Sequence, residues 1–319
     1  MPDAVSCAIR ADAEQCLFAE ACRADIIESS ADISTALVQA GLLIRQYYHE
    51  KGALIAPPSD TEYAMTLPRF YCPMEILAGQ VLELPSAVAH HAARVLRLEP
   101  GDEVVLFNGD GGEFTSVISR ISKQGVAVVV ERQVQVERES PLTILLAQAV
   151  CMGEKMDWIV QKAVELGVTR IQPLITKQSV VRLSGERGEK RVSHLQKVVI
   201  STCEQCGRNR VPVVLPLATL QNWLGTQTEP CRTSSGSLSP DACFMLSPFA
   251  RKGLRDFKHS SNISSIILLV GPEGGFTRDE EAAAMVAGFI PLRLGNRILR
   301  TESAALAAVG AMQALWGDY

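Results

Sequence analysis

Short apolar runs alternate with amphipathic stretches over residues 142–316. Four runs are almost wholly apolar, as expected for strands buried on both faces of a parallel sheet: 143–149, 171–175, 243–246 and 266–270. Two stretches between them repeat apolar residues at helical spacing and end at Gly167 and Gly207. Residues 225–240 are polar and predict a loop. This alternation predicts a mainly parallel α/β domain over residues 142–319.

Residues 69–139 carry a different pattern, in which short β-type runs dominate. The predicted strands are 80–84, 103–107, 114–121 and 125–131. A turn at 108–112 joins the second strand to the third, and one helix is predicted over 87–96. This indicates a small barrel of about 70 residues, large enough to fold alone, assigned to 67–138. Residues 137–141 are the predicted linker.

The C-terminal part of the chain contains two tight loops, each directly after an apolar strand. The strand 266–270 stops at the loop 271–275, which is followed by a helix that Thr277 and Glu280 open as a capping box. A second strand, 289–294, runs into the loop 295–300, and Thr301 is predicted to cap the last helix. In open α/β sheets, ligands bind at the carboxyl ends of strands, so these loops predict a ligand site.

Residues 1–66 fit neither pattern, although 30–46 could form a short helix. We expect either an extension without catalytic consequence or an upstream start codon, with Met65 as the true first residue. A partner-binding appendage is the alternative.

Charge is distributed unevenly along the chain. Residues 1–66 hold 4 Lys/Arg and 10 Asp/Glu (−6), and residues 67–319 hold 27 and 25 (+2), which sums to the net charge of −4. Any nucleic-acid-binding surface must therefore be a local patch. The nine cysteines show no disulfide-like spacing, which favours a reducing cytoplasm, and no apolar run is long enough to span a membrane.

Two motifs resemble the signature of the SPOUT methyltransferases. They are GPEGGF at 271–276 and LGNRILRTESA at 294–304, and an EQCGRNR run at 204–210 also matches. More narrowly, residues 67–319 resemble the RsmE family, which methylates N3 of a uridine in 16S ribosomal RNA. The resemblance implies a trefoil knot in the α/β domain, a PUA-like RNA-binding barrel before it, S-adenosylmethionine as cofactor and a homodimer.

The resemblance also implies which residues hold the cofactor. Glycines permit close backbone approach, and leucine and isoleucine side chains supply an apolar wall. The predicted cofactor-binding residues are Leu246, Leu269, Gly271, Pro272, Glu273, Gly274, Gly275, Leu294, Gly295, Ile298, Leu299, Thr301 and Ala304. The structural alternative is that the two loops are ordinary tight turns.

Arg300 and Glu302 are the predicted catalytic residues. Negative charge develops on a uridine ring as N3 loses its proton, and Arg300 at a helix start suits its stabilisation. Glu302 could accept the proton, although a carboxylate in a first helical turn also simply favours the helix dipole.

The predicted RNA-binding residues are all arginines: Arg69, Arg94, Arg97, Arg208 and Arg210. For the last two, complementing a helix C-terminus is the alternative. Cys203 and Cys206 lack the further ligands that a zinc site requires, so no metal is predicted.

The sequence leaves two rival functions open. One is another SPOUT RNA methyltransferase, acting on a ribose or on transfer RNA. The other is an RNA-binding assembly factor without catalytic activity.

Overall fold

The computed structural model describes residues 67–181, 183–226, 241–258 and 263–319. They fall within one compact unit, Ala64–Tyr319. The helix predicted over 30–46, and the question of how the chain starts, lie outside the described residues, as does most of the loop predicted over 225–240.

The first sheet matches the predicted barrel segment. Its strands are β1 (Arg69–Tyr71), β2 (Val81–Glu83), β3 (Glu103–Phe107), β4 (Glu113–Ser122) and β5 (Gly125–Val134). They lie in the order β1-β3-β4-β5-β2, in which only β1 and β3 are parallel. The predicted helix is confirmed as α1 (Ser86–His90), which continues into a π-helical turn, His91–Val95.

The second sheet is parallel, as predicted. Its strands are β6 (Thr143–Ala149), β7 (Arg170–Ile175), β8 (Val213–Val214), β9 (Ala218–Thr219), β10 (Ala242–Leu246), β11 (Ser265–Val270) and β12 (Ile290–Leu292). The order is β12-β10-β11-β6-β7-β8, and β9 also pairs with β7. Alternate residues of the central strands enter different cores, since Leu268 packs in one cluster and Leu269 in another. Burial on both faces explains why these strands are continuously apolar.

Helices cover the second sheet. They are α2 (Lys155–Glu165), α3 (Gly185–Cys206), α4 (Leu220–Thr226), a 3₁₀ helix (Leu254–Phe257), α5 (Arg278–Val286) and α6 (Thr301–Trp316). Gly167 and Gly207 have φ of 85°, the left-handed conformation that ends α2 and α3 as predicted. β8, β9 and α4 were not predicted, because two-residue strands and one short helix are too brief to show a hydrophobic period.

The two predicted helix caps have different outcomes. Thr277 caps α5, because its hydroxyl accepts from the Glu280 N–H and the Glu280 carboxylate accepts from the Thr277 N–H. The prediction that Thr301 caps α6 was wrong. Arg300 is the N-cap residue, and Thr301 is the first residue of the helix.

A buried ionic network joins the first sheet to the end of α3. The carboxylate of Glu113 in β4 accepts hydrogen bonds from Arg69 in β1 at 2.7 Å and from Arg138 at 2.9 Å. Both arginines also donate to the carbonyl oxygen of Gly207, at 3.3 and 3.0 Å. The side chains of Glu113 and Arg69 are only 1% and 2% exposed, so both charges depend on this pairing.

A second buried pair lies beside this network. Arg208 pairs with Glu139 and donates to the carbonyl oxygens of Val164 and Val168, at 2.9 and 2.8 Å. Those carbonyls belong to the end of α2 and the turn after it, so the arginine adds hydrogen bonds at the C-terminal end of this helix.

Two further features of the described residues concern membrane-spanning helices and cysteines. In the part of the chain that the structure describes, no helix has the length and apolar character needed to cross a membrane. Cys72, Cys151, Cys203 and Cys206 are free thiols.

We predict that Glu113→Gln lowers the free energy of unfolding by about 3–5 kcal/mol, because the change leaves two arginines uncompensated in a buried site. Urea unfolding of the full chain measures this. Glu83→Gln is the matched control, because Glu83 pairs with Arg120 at the surface, where loss of an ion pair costs about 1 kcal/mol or less. Equal effects of the two substitutions would contradict the structural role of the network.

The same carboxylate predicts acid sensitivity. Burial raises the pKa of Glu113, but the hydrogen bonds and charges of Arg138 and Arg69 outweigh burial, so its pKa is lowered from the ordinary value of 4.5. The ionised Glu113 carboxylate therefore contributes to the free energy of unfolding. This contribution is fully present above the ordinary pKa of 4.5 and is lost as the pH falls through the lower pKa of the folded state. Urea titrations at decreasing pH should therefore show a steeper loss of stability in the wild type than in Glu113→Gln. Parallel losses would contradict this assignment.

Candidate functional site

A cavity of about 460 Å³ opens at the carboxyl ends of β10, β11 and β12. The loop after each of these strands lines it, and so does the first turn of α6. Its volume lies within the range of small-molecule sites, and its position is the one where open α/β sheets bind ligands. The sequence predicted a ligand site at two of these loops, and the structure shows a cavity between them.

The two predicted loops are held together by a buried polar junction. The Thr301 hydroxyl donates to the carbonyl oxygen of Gly271 at 2.6 Å. The Gln148 side-chain amide lies 3.2 Å from that hydroxyl and 3.5 Å from the same carbonyl oxygen. Gln148 is fully buried in β6, and Thr301 is 7% exposed. The start of α6 is therefore fixed to the end of β11 through side-chain hydrogen bonds.

Glycine is required at specific points of these loops. Gly275 and Gly295 have φ of 75° and 72°, which other residues adopt only with strain. A Cβ atom on Gly274 would lie 2.6 Å from Oε1 of Gln178, so the end of that side chain would have to shift. The backbone path around the cavity therefore depends on Gly275 and Gly295.

The cavity wall combines apolar and polar groups. Leu246, Leu294 and Leu299 contribute apolar surface. Ser247 contributes a polar group, and its hydroxyl donates to the Glu281 carboxylate at 3.0 Å. An apolar wall with a few fixed polar groups is typical of sites for small organic ligands.

Eleven of the thirteen predicted cofactor-binding residues line the cavity. The two exceptions are Leu269, which is fully buried in a hydrophobic core, and Gly295. The lining residues that the sequence did not predict are Lys155, Ser247, Pro248, Phe249, Val270, Phe276, Glu281, Leu292, Arg293 and Arg297. Gln148, which holds the loops without lining the cavity, was also missed. Its signal was a glutamine within an otherwise apolar buried strand.

Both predicted catalytic residues border the cavity. Arg300 is exposed at the N-terminus of α6 and forms no ion pair with any described residue. One carboxylate oxygen of Glu302, Oε2, is buried and has no hydrogen-bond partner among the described groups. A buried acceptor without a donor is unfavourable, and a ligand N–H would satisfy it.

Cys151 and Lys155 lie nearby but have other properties. Burial, reinforced by the charge of Glu273, raises the pKa of the Cys151 thiol to about 12, so it is protonated and unsuited to nucleophilic attack near neutral pH. Lys155 pairs with Glu273 at 3.2 Å. In the described ranges, no group of three or more His, Cys, Asp or Glu could hold a metal ion.

The predicted RNA-binding arginines separate into two sets. Arg94 and Arg97 are exposed beside the π-helical turn, and Arg97 has a φ of 56°. Arg210 is about half exposed and pairs with Glu137 at 2.9 Å. Arg69 and Arg208 contradict the prediction, because both are buried and ion-paired in the network between the sheets. The structure assigns them to the internal interface instead of an RNA-binding surface.

Known proteins share this architecture. Residues 138–313 match the model of an RNA methyltransferase domain, and residues 84–131 match that of an RNA methyltransferase PUA domain. A ribosomal RNA small subunit methyltransferase E from Buchnera aphidicola is 33% identical over 79% of this chain and 98% of its own length.

Two solved structures resemble the chain over most of its length. One is ribosomal RNA small subunit methyltransferase E from Neisseria gonorrhoeae bound to S-adenosylmethionine, 40% identical with a TM-score of 0.70. The other is a Legionella pneumophila methyltransferase in complex with the same cofactor, 38% identical with a TM-score of 0.73. Each alignment covers 79% of this chain and 99% of the other. The chain therefore belongs to the RsmE family of ribosomal RNA methyltransferases, with a SPOUT-type α/β domain preceded by a PUA domain.

Proposed function

We propose that this protein transfers the methyl group of S-adenosylmethionine to N3 of a uridine in 16S ribosomal RNA. The observation that carries the proposal is the cavity between the two glycine loops, with Arg300 and Glu302 at its border. Membership of the RsmE family supports the reaction and the substrate.

The residues present fit S-adenosylmethionine. The glycine loop 271–275 and the segment 294–299 would hold its adenosine part through backbone groups and apolar contacts, as Leu246 and Leu299 both line the cavity. Bound there, S-adenosylmethionine supplies an electrophilic methyl group on a positively charged sulfur. No side chain needs to act as a nucleophile.

Arg300 stabilises the reacting base. As the N3–H bond breaks and the N3–methyl bond forms, negative charge spreads over the ring nitrogen and its neighbouring carbonyl oxygens. A guanidinium held at a helix N-terminus and free of any described carboxylate partner is preorganised for that charge.

Glu302 accepts the N3 proton. Its buried Oε2 lacks a donor, and the residue borders the same cavity as Arg300. A carboxylate is the general base that this geometry offers, provided that the base enters with its N3 edge toward α6.

The remaining assignments complete the proposal. Residues 67–138 form the barrel that docks RNA through Arg94 and Arg97, and Arg210 of the second domain, which pairs with Glu137, adds to this surface. Residues 142–319 form the catalytic domain, in which the segments around the cavity are threaded as a trefoil knot. The target uridine leaves its stack to reach the cavity.

A homodimer in the cytoplasm is also part of the proposal. Ser303, Ala307, Gly310 and Ala314 follow one another at helical spacing along α6, and three of the four are exposed. Small residues in such a row permit close packing of a second helix.

The test is methyl transfer from labelled S-adenosylmethionine to small ribosomal subunits from cells lacking the modification, with the product nucleoside identified. A 3-methyluridine product supports the proposal. A ribose-methylated nucleoside, or modification of transfer RNA alone, would assign the protein to another SPOUT activity. Donor binding without any product would indicate a non-catalytic assembly factor.

We predict that Arg300→Ala lowers kcat about 10²–10³-fold, as expected when a preorganised transition-state donor is removed. Its Kd for S-adenosylmethionine, measured by calorimetry, should change little. Arg278→Ala is the matched control, because Arg278 is an exposed arginine at the start of α5 that lies outside the cavity lining. A wild-type kcat in Arg300→Ala would refute the role of Arg300.

We predict that Glu302→Gln slows methyl transfer at neutral pH and recovers part of the rate as pH rises, because an amide cannot accept the proton and hydroxide takes its place. A pH–rate profile beside the wild type measures this. If Glu302 only favours the helix dipole, the two profiles will have the same shape.

A further inference from the structure

Two strongly cationic segments border the cavity. Segments 247–258 and 292–300 together contain seven Lys or Arg residues and one acidic residue, Asp256. The whole chain has a net charge of −4, so this concentration is local. We call the seven cations the rim: Arg251, Lys252, Arg255, Lys258, Arg293, Arg297 and Arg300.

The two segments lie side by side at the edge of the second sheet. The backbone N–H of Ser247 donates to the carbonyl oxygen of Leu292, and that of Arg293 donates to the carbonyl oxygen of Lys252, both at 2.9 Å. All seven rim side chains are exposed. Arg293, Arg297 and Arg300 line the cavity, and the other four cations belong to the segment whose residues 247–249 line it.

The rim cations lack anionic partners among the described residues. Asp256 accepts from the Gly253 N–H within its own turn, and Lys252 lies 5.6 Å from the centre of the Phe257 ring. Of the carboxylates that line the cavity, Glu273 pairs with Lys155, and Glu281 accepts from Ser247. Cations that no anion neutralises repel each other, so an anionic ligand bound here would remove an unfavourable electrostatic free energy.

An exposed aromatic ring stands within the same border. Phe249 lines the cavity and is 87% exposed. A folded protein gains nothing by presenting a phenylalanine face to water at a cationic site. Proteins that bind single-stranded nucleic acid combine these two features, since cations contact the phosphates and aromatic rings stack on the bases.

We propose that the six rim cations other than Arg300 bind the single-stranded RNA that flanks the target uridine, and that Phe249 stacks on a base next to it. The proposal rests on the proposed function, because it concerns the substrate of that site. A base that leaves its stack deprives its neighbour of a stacking partner, and Phe249 replaces that partner. This moves part of RNA recognition from the barrel to the catalytic domain.

The test of stacking compares Phe249→Ala with Phe249→Trp in the full chain. We expect Phe249→Ala to raise the KM for unmethylated small ribosomal subunits about tenfold, the range expected when one base–aromatic stack is removed. Phe249→Trp should retain a KM near that of the wild type, since its ring also stacks. Calorimetry should show the Kd for S-adenosylmethionine unchanged in both.

The test of the cations uses Arg251→Ala combined with Arg255→Ala. Affinity for RNA falls as salt concentration rises, and we expect the removal of each arginine that binds a phosphate to make this dependence less steep. The slope of log affinity against log salt concentration should become smaller in magnitude by about 0.7 per arginine. Lys197→Ala is the matched control, because Lys197 is an exposed cation in α3, away from the rim. The neighbouring residue, Gln196, accepts a hydrogen bond from Val214 of β8, which lies at the opposite edge of the sheet from β12.

Each other outcome would overturn the proposal. An unchanged KM and salt slope would show that RNA does not contact the rim. Weaker donor binding in Phe249→Ala would place that ring in the cofactor site, and a loss of self-association in sedimentation would assign the surface to a contact between copies of this chain. If the wild type methylates no RNA, the proposed function is refuted as well. If the wild type methylates RNA and the variants keep its KM and salt slope, only the proposed RNA contact of the rim is refuted.

Discussion

The hydrogen bonds among Thr301, Gly271 and Gln148 are the constraint on which the site depends. They fix the last helix to the end of the central strand β11, and they do so where a helix start and a strand end would otherwise leave polar groups unpaired. Because Gln148 is fully buried, separating these groups would carry the full cost of desolvation. The cavity, the exposed position of Arg300 and the buried oxygen of Glu302 all follow from where this junction holds α6.

Charge in this protein has two different uses. Between the sheets, Arg69 and Arg208 are buried and Arg138 is partly buried against Glu113 and Glu139, and they fix the barrel to the ends of α2 and α3. Around the cavity, the rim cations remain exposed and unpaired with any described residue, which leaves them available to phosphates. The net charge of the chain reflects neither use, since both are local arrangements of a few side chains.

The sequence predicted the parts of the fold that depend on local patterns. Continuously apolar strands, glycines at helix ends and the two tight loops can all be identified without the structure. It could not predict that Thr301 would bond Gly271, because that contact joins residues thirty positions apart. Nor could it show that Arg69 and Arg208 are buried, since arginine normally indicates surface and only the position of distant carboxylates reverses this. Phe249 was missed for the opposite reason, since phenylalanine normally indicates a core.

The most direct measurement is a crystal structure of the full chain with S-adenosylmethionine. The donor should lie between the loop 271–275 and the segment 294–299, against Leu246 and Leu299, with its methyl group directed toward Arg300 and Glu302. The junction of Thr301, Gly271 and Gln148 should be intact. A donor bound elsewhere, or one whose methyl group faces away from both residues, would contradict the assignment of this cavity as the methyl-transfer site.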